Sequence, residues 1–186
     1  KLELLKWARE VKQCEWDEET ITVAAFKGNL EMLKYCFSND CPCDEEQVCE
    51  QAAARGHLDC VRFVFDKVDP SRETVEEASR QAAGKGHTDI LKYLVEERKI
   101  SDDLKICVGI AAKYGQLDCL RYLVEEAKVP LNNWVYVAYA RYKEHTECEN
   151  YLREKGCPEP TDEEYTTYCT VRHRIEEEAR RQNSRE

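Results

Sequence analysis

The sequence predicts an all-α fold of stacked helix pairs, on three observations. A short pattern recurs along the 186 residues with a period of about 29. Within each copy, apolar residues are spaced by three and four, as on one face of a helix. Strand-like alternation of useful length is absent, and seven glycines with five prolines are too few for a turn-dense β protein. We therefore expect an all-α solenoid of about six helix-turn-helix repeats followed by a C-terminal helix.

Each repeat is marked by a pair of alanines and, a few residues later, a glycine. The glycines follow one another at steps of 28, 30 and 29 residues, and one further step of 29 leads to Glu144, which replaces the glycine. The segment Leu2 to Trp7, 28 residues before the second half of the next copy, fits the same template. The marker residues are Ala24-Ala25 and Gly28, Ala52-Ala53 and Gly56, Ala82-Ala83 and Gly86, Ala111-Ala112 and Gly115, and Ala140 and Glu144.

One repeat is best interpreted as two helices joined by a tight turn. In the second full copy, helix A covers Glu45 to Arg55, with acidic residues in the first turn where the helix dipole favours them. Gly56 then provides the left-handed residue that ends helix A. Helix B covers Leu58 to Lys67, and a loop with Pro70 follows because proline cannot continue a helix.

This organisation divides the chain into two predicted parts. Residues 1–160 form the repeat array, and residues 161–186 form a capping helix that begins at Thr161 and ends in a solvated charged tail. Lys1 to Lys12 has the pattern of a helix B without its helix A, so Leu2, Leu5 and Val11 are expected to present an apolar face. Since solenoids close such ends with polar repeats, we expect further repeats or a partner to cover this end.

The pattern Ala-Ala-x-x-Gly-His-Leu-Asp-x-Val at Ala52 to Val61 resembles the ankyrin repeat. The resemblance covers about residues 2–160, but the period is shorter than the family's 33 residues, and the Thr-Pro-Leu-His segment is replaced by Gln47 to Glu50. Loops such as Cys41-Pro42-Cys43-Asp44 resemble those of divergent ankyrin-like arrays of giant viruses, oomycetes and algae. The resemblance implies stacked helix pairs, reduced hairpin loops, and binding of other proteins.

Charge and hydropathy exclude several functions. The 38 acidic residues exceed the 28 basic ones, for a net charge of −10 and a pI near 5.1, which argues against general nucleic-acid binding. Mean hydropathy is −0.73, and the sequence contains no apolar stretch that approaches a membrane span. Thin repeats that bury one stripe each account for the low hydropathy.

The eleven cysteines mostly recur at equivalent repeat positions. Equivalent residues in neighbouring helices lie about 8–10 Å apart, whereas a disulfide needs Cα atoms within about 7 Å, so Cys119 and Cys148 should not bridge. Small buried thiols in a reducing intracellular compartment, cytoplasm or nucleus, are the expected interpretation. A zinc site is the alternative, although its spacings differ from common ligand pairs. Its candidate ligands are Cys36, Cys41, Cys43 and Cys49.

The remaining motifs do not indicate an enzyme or a cofactor. His57, His87 and His145 recur at one repeat position, which favours a hydrogen bond that stabilises the turn over catalysis. The sequence shows no phosphate loop, nucleophile elbow or paired carboxylates. Basic residues three positions after an acidic one, such as Arg62 after Asp59, are expected to pair along helix B.

Two sets of residues are candidates for binding a partner. Cations including Arg55 and Lys85 precede the turn of successive repeats, where they either cap helix A or meet an acidic partner. Aromatic residues crowd helix A of the sixth repeat and either bind a partner or pack on the C-terminal helix. If they bind, Tyr139→Ala should weaken binding and leave the melting temperature nearly unchanged. The aromatic set is Trp134, Tyr136, Tyr139 and Tyr142.

The sequence therefore predicts a non-catalytic protein-interaction module or scaffold, whose partner is another protein bound along the helix A and loop surface. The alternative is a structural subunit built permanently into a larger complex. Because a fold does not specify its ligand, the identity of the partner is not readable from these residues.

Overall fold

The computed structural model describes residues 2–101 and 103–183, and all the regular elements in these ranges are helices. The predicted all-α, ankyrin-like helical repeat fold is confirmed. Twelve α-helices and one π-helical turn follow one another in these ranges. They are α1 (Leu2–Lys6), the π-helical turn (Trp7–Val11), α2 (Glu18–Phe26), α3 (Leu30–Ser38), α4 (Glu45–Ala54), α5 (Leu58–Val68), α6 (Arg72–Lys85), α7 (Thr88–Glu96), α8 (Leu104–Lys113), α9 (Leu117–Glu125), α10 (Val135–Tyr142), α11 (Thr146–Glu154) and α12 (Asp162–Asn183).

The chain forms two compact units. The first, Lys1–Cys107, contains α1 to α7 and the start of α8, and the second, Val108–Glu186, contains the rest of α8 and α9 to α12. Within the first unit, α2, α4 and α6 are the A helices, and they pack side by side. Ala24, Ala52 and Ala82 are fully buried between them, because only a small side chain permits such close approach of neighbouring helices.

Short polar side chains start the A helices of the first unit. Asp17 accepts hydrogen bonds from the Glu19 and Thr20 backbone N–H groups at the start of α2. Asp44 and Ser71 cap α4 and α6 in the same way. Each cap satisfies a backbone donor that the first turn of a helix leaves unpaired. The sequence before each A helix therefore fixes where the helix begins.

The turn between the two helices of a repeat is joined to the next repeat by a histidine. His57 Nε2 lies 3.2 Å from the Phe26 carbonyl oxygen, and its ring covers Gly28 so closely that a Cβ there would lie 2.5 Å from Nδ1. His87 repeats the arrangement with the Ala54 carbonyl oxygen at 3.1 Å and Gly56 beneath its ring. The expected histidine hydrogen bond is confirmed for these two, but its acceptor belongs to the preceding repeat.

Glu144 occupies the left-handed turn position that the other repeats give to glycine. Its φ is 61°, a conformation that costs an L-residue roughly 1–2 kcal/mol. We expect Glu144→Gly to raise the free energy of unfolding by about 1 kcal/mol, since the added chain entropy of glycine offsets only part of the relief. Urea unfolding followed by circular dichroism measures the change. Glu144→Gln is the control and should shift stability by less than about 0.5 kcal/mol; an equal shift in both variants contradicts the prediction.

The N-terminal segment differs from the predicted helix in one respect. The helix α1 ends at Lys6 and continues as a π-helical turn, and the most exposed apolar side chains are Leu4 (67%), Trp7 (48%) and Val11 (64%). Leu2 and Leu5 are instead partly covered. Positions equivalent to Leu4 and Trp7 in a later repeat, Ile90 and Tyr93, are buried. The expected apolar face therefore exists and includes Val11, but the prediction that Leu2 and Leu5 are exposed on it was wrong.

The C-terminal helix includes the charged run near the end of the chain. The acidic and basic run that was expected to be a solvated charged tail belongs to α12, which continues to Asn183. Glu177 pairs with His173 and Arg181 at helical spacing, and pairs of this kind favour helix in an exposed segment. At the other end, Thr161 and Glu164 form a reciprocal capping box that fixes the first turn.

Candidate functional site

Three cations form a row at the C-terminal ends of the A helices in the first unit. Lys27 and Arg55 cap α2 and α4, and Lys85 is the last residue of α6. All three are exposed, and the helix dipole favours positive charge at this position. We call Lys27, Arg55 and Lys85 the basic row. It contains both cations, Arg55 and Lys85, that were predicted to bind a partner.

Two cations of the basic row lie against one aromatic ring. The Arg55 guanidinium lies 3.8 Å from the centroid of Phe26, and Lys27 Nζ lies 4.8 Å from it. A cation over an aromatic face gains about 0.5–1 kcal/mol at an exposed site. The two cations from neighbouring repeats are therefore positioned side by side, with their charges toward solvent.

The aromatic residues of α10 have different environments. Tyr136 is buried (5% exposed), whereas Trp134, Tyr139 and Tyr142 are partly exposed. Tyr139 and Tyr142 both meet Tyr168 of α12 edge to face, with ring centroids 5.8 and 5.7 Å apart. Of the two interpretations left open by the sequence, this geometry favours packing on the C-terminal helix for these two tyrosines. Trp134 does not take part in these ring contacts.

Polar contacts reinforce the same junction. Arg172 donates to the Tyr139 hydroxyl at 3.0 Å, and the Tyr142 hydroxyl donates to Glu176 at 3.3 Å. Lys143 Nζ lies 2.7 Å from the same Glu176 carboxylate, and this hydrogen bond lowers the pKa of Glu176. A lowered carboxyl pKa stabilises the fold above the pKa of the unfolded chain and ceases to do so as the pH falls through the folded value. The junction thus combines aromatic and ionic contacts.

We expect Tyr139→Ala to lower the free energy of unfolding by about 2 kcal/mol, because it removes the contact with Tyr168 and the acceptor of Arg172. This replaces the expectation from sequence that the melting temperature stays nearly constant. Urea unfolding and a thermal melt measure the change. Tyr114→Ala is the matched control in the same unit, where the ring is 52% exposed, and it should change stability by less than about 0.5 kcal/mol. Similar losses in both variants contradict the assignment of Tyr139 to the junction.

The cysteines proposed as zinc ligands lie in one stretch of the first unit. The side chains of Cys36 and Cys41 are hydrogen-bonded to each other, and the Cys41 thiol donates to the Asp17 carbonyl oxygen at 3.5 Å. Burial raises the pKa of Cys36 and of Cys49 to about 12, and that of Cys43 to about 11. Zinc binds the thiolate, so these sites favour the form that does not bind it. Among residues 2–101 and 103–183, no group of three or more His, Cys, Asp or Glu side chains is arranged to hold a metal ion.

The loop cysteines have a repeated structural role. Cys41 donates to a carbonyl oxygen of the preceding loop in the first unit, and in the second unit Cys157 donates to the Asn133 carbonyl oxygen at 3.4 Å. Cys14, the equivalent residue of the first loop, is exposed. The eleven cysteines all lie in the described residues, and none of them forms a disulfide. The repetition of cysteine in these loops thus follows from a contact between neighbouring repeats.

One accessible surface of the second unit was not predicted from the sequence. This surface is a cavity lined by Trp134 and by residues from the first half of α12, including Val171. Trp134 was assigned to binding, but the contribution of Val171 was missed. The usable signal was the four-residue spacing of Thr167, Val171 and Ile175, which places them on one face of α12.

Comparison with known proteins identifies the repeats. The family model described as ankyrin repeats (3 copies) matches residues 79–163. No curated protein matched the chain. In the described part of the chain, none of the helices combines the length and the apolar character needed to cross a bilayer. Ankyrin repeats are in general non-catalytic modules that bind other proteins. Residues 79–163 therefore consist of ankyrin repeats, and they show the same helix-turn-helix pattern as the rest of the array.

Proposed function

We propose that this chain is a non-catalytic interaction module that binds an acidic surface of a partner protein through its helix A and loop surface. In this proposal residues 1–160 form the repeat array and residues 161–186 cap it. The observation that carries the proposal is the basic row, three exposed cations at one register of three successive A helices in a chain of net charge −10. Cations grouped against the overall charge steer an acidic partner to one face.

We also propose that the protein works in a reducing intracellular compartment, because its cysteines are mostly buried and form no disulfides. The net charge of −10 argues against general binding of nucleic acid, because an acidic surface repels the phosphate backbone. No cofactor is needed for binding of this kind.

The test is a charge reversal of the basic row, Lys27→Glu with Arg55→Glu and Lys85→Glu. The full chain and the variant are used as baits for affinity capture from cells, and the proteins retained by the wild type alone are identified by mass spectrometry. For each such protein, we expect the variant to raise the Kd by about a hundredfold or more, because three favourable charge contacts become repulsive. The wild-type affinity should fall as salt is added.

The matched control reverses three exposed cations of the same unit outside the basic row, Lys34, Lys67 and Lys105. This variant has the same net charge as the first, so it should retain the partner with nearly unchanged Kd if position decides binding. Equal weakening by the two variants attributes binding to net charge alone and overturns the proposal. Circular dichroism establishes that both variants stay folded.

The second candidate function, a structural subunit of a larger complex, is favoured by the exposed side chains of Leu4, Trp7 and Val11. An apolar face of this kind is more often covered in a working assembly than left in water. Size-exclusion chromatography with light scattering separates the two candidates. A stable monomer at micromolar concentration supports the interaction module, whereas obligate association through this face supports the structural subunit.

A further inference from the structure

A cavity of 430 Å³ lies in the second unit between the start of α10 and the first half of α12. It is separate from the residues of the basic row. Its walls are mainly apolar, with carboxylates at one side. The residues that line it are Trp134, Glu163, Glu164, Thr167, Tyr168 and Val171.

The walls are fixed before anything binds. Tyr168 is held by edge contacts with Tyr139 and Tyr142 and by stacking on Tyr165, whose ring centroid is 6.4 Å away. Trp134 caps α10, where its carbonyl oxygen accepts from the Ala138 N–H. A preformed wall avoids the ordering cost that weakens many protein contacts. Tryptophan and tyrosine are also the residues that contribute most binding energy when a partner covers them.

The apolar surface continues along α12 beyond the cavity. Val171 and Ile175 are each 48% exposed, and they lie one turn apart on the same face of the helix. We call this surface, from Trp134 through Thr167 and Val171 to Ile175, the α12 groove. A row of apolar side chains one turn apart matches the apolar face of another helix, whose own residues at i and i+4 have the same spacing.

The charges around the α12 groove decide between partners. Glu163 and Glu164 are exposed and line the cavity, and helical spacing places the exposed Glu178 on the same face as Ile175. Glu164 uses one carboxylate oxygen for the cap of Thr161, which keeps its position fixed. These three carboxylates outnumber the two cations, Arg174 and Arg181, that helical spacing places on the same side of α12. The rim therefore attracts Lys and Arg and repels an acidic segment.

We propose that the α12 groove binds a basic amphipathic helix of a partner protein, with two aliphatic side chains against Trp134 and Val171 and cations toward Glu163 and Glu164. This goes beyond the proposed function, since the basic row takes an acidic surface and the α12 groove takes the opposite charge. The module would thus hold two segments of unlike charge.

The test uses fluorescence anisotropy of a labelled synthetic peptide of about 14 residues, long enough for four helical turns. The peptide contains leucines at i, i+4 spacing and lysines elsewhere. Two further peptides are compared, one with glutamate in place of each lysine and one with the leucines scrambled off one face. With the full chain, we expect the leucine–lysine peptide to bind at least about tenfold more tightly than either of the others.

The position of binding is tested by Val171→Ser, with Val23→Ser as the matched control. Val23 is 44% exposed on α2, so both variants remove a valine of similar exposure from a helix surface. We expect Val171→Ser to weaken binding about tenfold, and Val23→Ser to change it by less than about twofold.

Charge is tested by Glu163→Lys, with Glu147→Lys as the control. Both carboxylates are exposed in first turns of helices of the same unit. Glu163→Lys should weaken the leucine–lysine peptide and strengthen the leucine–glutamate peptide. Equal affinity for the three peptides, or equal effects of either variant and its control, overturns the proposal. Circular dichroism spectra establish that each variant retains the helices.

Discussion

Gly115→Ala should lower the free energy of unfolding by about 3 kcal/mol, one of the largest single effects available in this chain. The residue has a φ of 70°, where an added Cβ costs roughly 1–2 kcal/mol. The same Cβ would lie 2.7 Å from His145 Nδ1 and 2.9 Å from its Cγ. Because Cγ of His145 is bonded directly to Cβ, it moves away only if the χ1 rotamer changes, and overpacking of this kind costs about 1–3 kcal/mol. Urea unfolding followed by circular dichroism measures the loss.

Gly156→Ala separates the two contributions. Gly156 has a φ of 76°, close to that of Gly115 and in the same unit, but no atom lies within 4 Å of a Cβ built there. We expect Gly156→Ala to lower the free energy of unfolding by about 1 kcal/mol, which is the backbone cost alone. The double variant Gly115→Ala with His145→Ala should recover part of the difference, since the two side chains no longer collide. If both glycines lose the same free energy, the histidine contact does not contribute.

Arg80→Met is expected to have the second large effect and to lower the free energy of unfolding by about 3 kcal/mol. Arg80 Nη1 lies 2.9 Å from Asp103 Oδ2, and the Asp103 side chain is only 7% exposed. Without the arginine, a buried carboxylate remains without its cation, and a charge left in this state costs about 3–5 kcal/mol when fully enclosed. The value expected here is at the low end because the Arg80 side chain is 27% exposed. Chemical denaturation at neutral pH gives the change.

Arg72→Met is the matched control on the same helix. Its pair with Glu76 is at i, i+4 spacing on the surface, with the Arg72 side chain 70% exposed. Exposed pairs contribute little, so we expect a loss of less than about 0.5 kcal/mol. If the two variants lose similar free energies of unfolding, burial does not strengthen the ion pair between Arg80 and Asp103.

The local features of the fold were predictable because they depend on neighbours in sequence. The acidic helix starts and the turn at Gly56 follow from residues within one repeat, and the period follows from a comparison of the copies. The i, i+3 ion pairs were correct for Lys34 with Glu31, at 3.0 Å. Arg62 was expected to pair with Asp59 but binds Glu97 at 2.6 Å, 35 residues later. The guanidinium also stacks on Tyr93 of the next repeat, and this preference is invisible within a single helix.

The candidate sites show the same limit. The basic row could be found from sequence, because repeat register alone places Arg55 and Lys85 at helix ends. The contact of Tyr139 with Tyr168 could not be predicted from sequence, because it depends on which face of α12 lies against α10. The α12 groove was missed for the same reason, because a cavity is formed by two helices and neither sequence segment encodes it alone.

The histidine over the turn glycine has a consequence for how such a chain can evolve. The ring of His57 belongs to one repeat, and the glycine beneath it, Gly28, belongs to the repeat before. Recombination that adds or deletes a whole repeat joins segments at the same register, so the new boundary again places a histidine opposite a glycine. A point substitution of either residue leaves its counterpart without a fit. Array length can therefore change in one genetic event, while the two residues at each boundary are constrained to change together.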